Sequence, residues 1–253
     1  MNMLVCVKQV PGTNTKENRI VNPFDLYALE TALRIKEAVP VAGVTALSMG
    51  PGPTESALRQ CLAIGADAAY LACDSAFAGA DTLATSYVLS KAVRYIEAEM
   101  GRFDLILCGL QAIDGDTAQT GPMLAERLGY PQITCVKELR PGEGRVRAVR
   151  ETQRGLEIWE AALPAVITVT KPDFEPRRPT LSGTLAARRA AIPVLTAREI
   201  NADPAYCGQE GSPTVVRSTY PVQPKDGGVI LQENGARAAA VKLAALLRRE
   251  SRL

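Results

Sequence analysis

The stretch CGLQAIDGDTAQTGP, from Cys108 to Pro122, places two carboxylates, two glutamines and two threonines in one Gly-bearing turn. Gln111, Gln119, Thr117 and Thr120 are neutral donors suited to a phosphate, a ribose or a base edge. Asp114-Gly115 is a ready tight turn, and Asp116 is placed to cap a helix starting near Thr117. Such a helix would offer unpaired backbone N–H groups and its positive dipole end to an anion. The stretch has neither the lysine nor the glycine spacing of a phosphate loop. Its carboxylates would repel an anion unless they are turned into backbone capping. Two readings therefore stand on the pattern alone: a nucleotide binds at this turn, or Asp116 caps a helix and nothing binds.

The rest of the chain narrows the chemistry further. There is no histidine among the 253 residues, which removes Ser-His and Cys-His nucleophile pairs, imidazole proton transfer and His-ligated zinc. The six cysteines, at 6, 61, 73, 108, 135 and 207, form no C-x-x-C pair. They read as small buried hydrophobes in a reducing compartment, neither disulfides nor a metal site. No catalytic side chain stands out, so any reaction here is carried by a cofactor.

A net charge of +2 gives no reason to expect nucleic acid or an anionic membrane as partner. The longest apolar runs, such as LPAVITV, fall short of the roughly 20 residues a bilayer requires. The start, MNMLVCVKQV, lacks the marks of a secretion signal and reads as a first strand, which predicts a cytoplasmic protein.

The elements that must hold the turn are legible in the first half. MLVCVK, GVTALSMG, AAYLAC and FDLILC read as strands. QVPGTNTKENR reads as a polar turn, and Leu26, Leu29 and Leu33 fall at helical spacing. Pro53 suits a first helical position, and Asp81 suits the cap of a long helix carrying Leu89, Val93 and Ile96. This alternation predicts an α/β fold, a doubly wound and mostly parallel sheet of Rossmann-like type. Ligands of such sheets lie at the carboxyl ends of the strands where their order reverses. If the first and fourth strands are neighbours, Cys6-Val7-Lys8-Gln9 and the opening turn face one crevice.

Beyond Pro131 the pattern changes. QITCVKEL, GRVRAVRE and GLEIWEA read as hairpin strands, with Trp159 expected in the core, and LPAVITVT as a buried strand. KPDFEPRRPTLSG, with its prolines, reads as an extended arm. Arg188-Arg189 reads as a helical charge pair, solvated or facing an acidic partner. The boundaries expected are 1–192 for the nucleotide-binding domain, including an arm at 171–190, and 193–253 for a C-terminal extension. That extension ends in a helix with Ala239, Leu243, Leu246 and Leu247 on one face.

The stretch CGLQAIDGDTAQTGPMLAERLGYPQ resembles the nucleotide-binding segment of electron-transfer flavoprotein beta subunits. LVCVKQVP, NPFDLYALETALRIKE, ALSMGP and RGLEIWEAALPAVITVTKPDFEPRRPTL extend that resemblance, in order, from residue 3 to about 192. It implies a heterodimer with an alpha subunit that carries the redox FAD, and a C-terminal extension that packs on that subunit. Electrons then pass between dehydrogenases and an acceptor. The nucleotide-binding positions it implies are Cys6, Asn22, Pro23, Phe24, Asp25, Met49, Gly109, Leu110, Gln111, Ala112, Ile113, Asp114, Gly115, Asp116, Thr117, Ala118, Gln119 and Thr120. Glu151 matches a glutamate near the alpha-subunit flavin that helps gate the flavin domain. Leu181 matches an anchor leucine that enters a pocket of the partner dehydrogenase.

The family holds either of two nucleotides here. One is a structural AMP, in a simple electron shuttle. The other is a second FAD that accepts hydride from NADH and bifurcates the electrons. One electron then goes to ferredoxin or flavodoxin, and the other to a dehydrogenase or quinone reductase. Gly115, Thr117, Ala118 and Pro122 match the bifurcating pattern, while Thr120 matches the AMP type and Leu110 departs from a basic residue common in the family. The balance favours FAD, with AMP open. A free-standing adenine-nucleotide-binding regulatory protein on the same fold is the rival reading.

Overall fold

The structure is a computed structural model that describes residues 1–12, 19–218, 220 and 227–250. Its strands are β1 (Asn2–Cys6), β2 (Gln9–Pro11), β3 (Arg19–Val21), β4 (Gly43–Met49), β5 (Ala68–Ala72), β6 (Leu105–Gly109), β7 (Gln132–Pro141), β8 (Arg145–Thr152), β9 (Gly155–Ala162), β10 (Ala165–Val169) and β11 (Val194–Leu195). Its helices are α1 (Pro23–Ala38), α2 (Glu55–Ile64), α3 (Thr82–Met100), α4 (Thr120–Leu128), α5 (Leu181–Arg189) and α6 (Ala236–Arg249).

Nine strands form one sheet in the order β11-β5-β4-β1-β6-β10-β7-β8-β9. All pairings from β11 to β7 are parallel, and only the β7-β8-β9 end is antiparallel. The expected α/β architecture is the observed one. Apolar runs become central strands because both faces are covered. Met3 and Val5 of β1 join the core under α1 and α2, while Leu4 and Cys6 join the core under α3 and α4. Asp81 caps α3, its Oδ1 accepting from the Leu83 and Ala84 N–H groups at 2.9 and 3.1 Å.

Several local expectations give way. The polar turn QVPGTNTKENR is flanked by an antiparallel ribbon, Gln9–Pro11 against Arg19–Val21, and its residues 13–18 lie outside the described residues. Trp159 is not core. It lies on the outermost strand, 46% exposed, with Nε1 donating to Glu157 and the Arg150 guanidinium 5.2 Å from its ring. An edge strand has no neighbour to cover it, which strand periodicity alone does not reveal. The compact unit runs Met1–Val215, past the expected boundary at 192, because β11 pairs with β5 at Val194↔Leu71 and Leu195↔Ala72. Residues from Val216 onward form a second unit, which contains α6. None of the described helices is long and apolar enough to cross a membrane.

Candidate functional site

From β1 the sheet grows one way through β4 and β5 and the other way through β6 and β10, so the order reverses between β1 and β6. The two strands are direct neighbours, with Cys6 opposite Cys108, and the turns that follow them share a crevice at their carboxyl ends.

One buried carboxylate ties this crevice together from below. Asp25, in the first turn of α1, accepts from the Lys8 N–H at 2.7 Å through Oδ2 and from the Gly109 N–H at 3.1 Å through Oδ1. It thereby joins the ends of β1 and β6, and it is 6% exposed. Burial pushes its carboxyl up from 3.8 to about 7, against the lowering pull of the Lys8, Asn22 and Gly109 hydrogen bonds and the Lys8 charge. Gly109 is required here because a Cβ would lie 2.3 Å from Asp25 Oδ1 and 2.7 Å from backbone atoms of Asp25 and Phe24. The Cys6 thiol is pushed well above its ordinary value by its hydrogen bond with Cys108, then by burial, so Cys6 stays protonated and unreactive.

Asn22, which is fully buried, holds the opening turn. Its Nδ2 donates to the Gln111 carbonyl at 2.8 Å, and its Oδ1 accepts from the Ile113 N–H at 3.2 Å. The carbonyl of Ala112 accepts from both Gly115 and Asp116 N–H groups, closing a tight turn. The carboxylates that would repel an anion are engaged elsewhere. Lys8 Nζ meets both Oδ atoms of Asp114 at 2.8 Å, and Gln111 Nε2 donates to Asp116 Oδ1 at 2.8 Å.

The helix after the turn starts at Thr120, not near Thr117, and Asp116 is not its cap. Asp116 and Ala118 both take positive φ, 51° and 54°, which no right-handed helix accommodates. Gln119 occupies the cap position with no side-chain cap bond, so the first turn of α4 is open to an outside acceptor. The Gln119 side chain instead accepts from Thr82 Oγ1 at 3.0 Å. At Gly121 a Cβ would lie 2.4 Å from Thr168 Cγ2, so this glycine brings α4 close against β10. A Cβ at Gly115 would meet nothing within 4 Å, which leaves that part of the loop open.

The structure thus gathers Cys6, Asn22, Pro23, Phe24, Asp25 and the continuous run from Gly109 to Thr120 at the β1–β6 crevice. Met49 ends β4, the strand on the other side of β1. Glu151 and Leu181 stand apart. Glu151 lies on β8, the third strand beyond β6, opposite Leu156. Leu181 opens α5 and is 78% exposed. Lys8 reads in the sequence as part of the first strand's end and not as a site residue. Its role depends on Asp114, 106 positions away, and no local signal links the two. Among the described residues, no group of three His, Cys, Asp or Glu side chains is placed to hold a metal ion, and all six cysteines are free.

The arrangement is a neutralised, partly rigid loop facing an open helix N-terminus at a switch point. Such an arrangement can take a phosphate-bearing ligand. Comparison with known proteins adds an independent line. A family model described as electron transfer flavoprotein domain matches residues 13–200. The electron transfer flavoprotein subunit beta of Megasphaera elsdenii is 44% identical over 247 residues, covering 92% of each chain. The protein FixA of Bradyrhizobium diazoefficiens is 37% identical over 270 residues, covering 100% of this chain and 93% of the relative. The caffeyl-CoA reductase-Etf complex subunit CarD of Acetobacterium woodii is 38% identical over 244 residues, covering 91% and 92%.

Proposed function

The chain belongs to the electron transfer flavoprotein family, alongside its beta subunits, and on that premise we propose that its β1–β6 crevice binds FAD in an electron-bifurcating heterodimer. The observation that carries this reading is the neutralised loop. With Asp114 paired to Lys8 and Asp116 held by Gln111, the turn leaves open space at Gly115, where a third carboxylate would add repulsion. Backbone can then approach a pyrophosphate closely, with the open first turn of α4 as its counter-dipole. Cys6, Asn22 to Asp25, Met49 and Gly109 to Thr120 form the binding surface.

Bound there, FAD supplies hydride acceptance from NADH and one-electron chemistry. The chain's own residues bind and orient. Asp25 and Asn22 fix the crevice floor and the loop, and the buried, protonated Cys6 makes an inert wall. Glu151 faces the alpha-subunit flavin domain, and Leu181 enters an apolar pocket of a partner dehydrogenase or quinone reductase. The C-terminal unit, residues 216–253, packs on the alpha subunit. A cytoplasmic complex so loaded would supply electrons by two routes, one to ferredoxin or flavodoxin and one by way of the FAD-carrying alpha subunit to that partner.

The test is nucleotide content. The chain is co-expressed with its alpha subunit, the complex is denatured, and FAD and AMP are quantified by chromatography. The proposal requires two FAD per heterodimer with no AMP, and NADH-driven reduction of ferredoxin. One FAD with one AMP would instead make this a simple shuttle with a structural nucleotide. A flavin-free chain that forms no heterodimer would point to a regulatory nucleotide-binding protein.

A further inference from the structure

The arm between β10 and α5 has no helix or strand of its own until Leu181, yet it is fastened to α1: Tyr27 donates to Glu175 at 3.3 Å, and Arg177 makes most of the remaining bonds. Arg177 donates to Glu30 from Nε at 2.7 Å, from Nη2 at 3.1 Å and from its backbone N–H at 3.1 Å. Its Nη1 reaches Glu37 Oε1 at 2.5 Å. Glu30 is 3% exposed and is also bonded by Arg34 Nε at 2.8 Å. The Arg34 guanidinium in turn lies 3.9 Å above the ring of Phe174, in the same arm. Burial alone would push the Glu30 carboxyl up, but the Arg177 and Arg34 hydrogen bonds outweigh it and hold the group below its usual range.

A buried ion pair of this kind contributes little net stability, because desolvation offsets most of the attraction; its effect is to fix one geometry. What it fixes leads directly to α5. Beyond Arg177 the chain reaches Leu181, with Leu185 one turn on, 49% exposed. The other side of α5 is seated against α2. A Cβ at Gly183 would lie 2.4 Å from the Ala63 carbonyl oxygen, and Arg59 Nη1 donates to the Ala187 carbonyl at 2.6 Å. One end of α5 is thus held by Arg59 and the approach to the other by the Glu30–Arg177 clamp.

We propose that Arg177 is a positioning residue for partner docking. By holding the arm on α1, it presents Leu181 in place to the apolar pocket of the partner redox protein, so that little ordering remains to be done on encounter. This rests on the docking role proposed above for Leu181. Freeing an arm of several residues returns ordering cost to the docking step, which weakens partner binding by about tenfold and leaves electron transfer within the docked complex unchanged.

The experiment uses the heterodimer with a purified acyl-CoA dehydrogenase as the partner probe and a small dye as an acceptor that needs no docking. The variants are Arg177→Met, Arg177→Lys, Leu181→Ala and the Met–Ala double variant. Arg177→Met is expected to raise KM for the dehydrogenase about tenfold with kcat and dye reduction unchanged. Arg177→Lys keeps the charge but not the fork, so it recovers only part of the loss. In the Leu181→Ala background the same change should add less than about threefold, because the positioned group is gone. A wild-type KM for Arg177→Met, beside a raised KM for Leu181→Ala, overturns the clamp and leaves the docking reading standing. So does an equal effect in both backgrounds, or a loss of kcat and dye reduction together. A wild-type KM for Leu181→Ala, or no transfer from the NADH-reduced wild-type complex to the dehydrogenase, removes the docking reading and the inference with it. Should Arg177→Met fail to assemble, Glu37→Gln removes only the exposed half of the clamp, and a two- to threefold rise in KM, on the order of one weak surface pair, is expected from it; no rise overturns the clamp.

Discussion

Replacing Asp25 with asparagine keeps the size of the side chain beneath the crevice and removes its titration. In the folded chain this carboxyl titrates near 7, against about 3.9 when exposed. Between these values the native state holds more protons than the unfolded one, so stability conferred by neutral Asp25 is fully present below about pH 4. It is lost as pH rises through about 7, and then it levels off. The shift corresponds to an upper limit of about 4 kcal/mol across that window. The Asp25→Asn variant undergoes no such change, but its amide has one acceptor oxygen where the carboxyl had two. Either the Lys8 or the Gly109 N–H then faces an NH2 group, at a cost of about 1–3 kcal/mol.

The variant should therefore be the less stable protein near pH 5, by about 1–3 kcal/mol, and the gap should close and reverse toward pH 8. The assay is urea unfolding of both proteins at pH 5, 6, 7 and 8, as heterodimers of equal nucleotide content. The difference between the two curves isolates Asp25. A difference that stays flat, or that grows in favour of the wild type with rising pH, would refute the reasoning. It would mean that two backbone N–H groups stabilise the carboxylate more than burial penalises it.

Three other changes probe the same site. Gly109→Ala drives a Cβ into the backbone of Asp25 and Phe24 and should cost about 3 kcal/mol or more, seen as a lower midpoint in thermal unfolding; an unchanged midpoint would show that the approach is not tight. Asn22→Ala removes both bonds that hold the 111–113 turn, for a loss of about 2 kcal/mol, and should lower the nucleotide retained per heterodimer after gel filtration. Ala118→Gly relieves a positive φ and should raise the thermal midpoint by a few degrees, a gain of about 1 kcal/mol; a drop would mean that the alanine methyl packs well enough to outweigh the strain.

Much of this protein was legible along the chain because its signals are local. Apolar runs of five or six residues, capping aspartates such as Asp81 and the glycines of the turns each specify their own element. The alternation of those elements specifies a doubly wound sheet, and the LQAIDGDTAQTGP turn follows a strand at the point where the strand order reverses. Local pattern misled where a residue's conformation depends on something remote. Asp116 looks like a cap, but the Asn22 bonds and the Ala112 turn hold the loop so that the helix starts at Thr120. Trp159 looks like core, but β9 has no strand beyond it.

What only the tertiary structure decided are pairings between distant positions. Lys8 neutralises Asp114 across 106 positions, Asp25 ties Gly109 across 84, and Glu30 clamps Arg177 across 147. Each is a short-range electrostatic contact whose partners meet only after the sheet has ordered its strands. Sequence periodicity fixes which face a residue occupies, but it carries no record of which remote charge will share that face. In this chain one such pairing, Lys8 with Asp114, neutralises a carboxylate of an otherwise acidic loop.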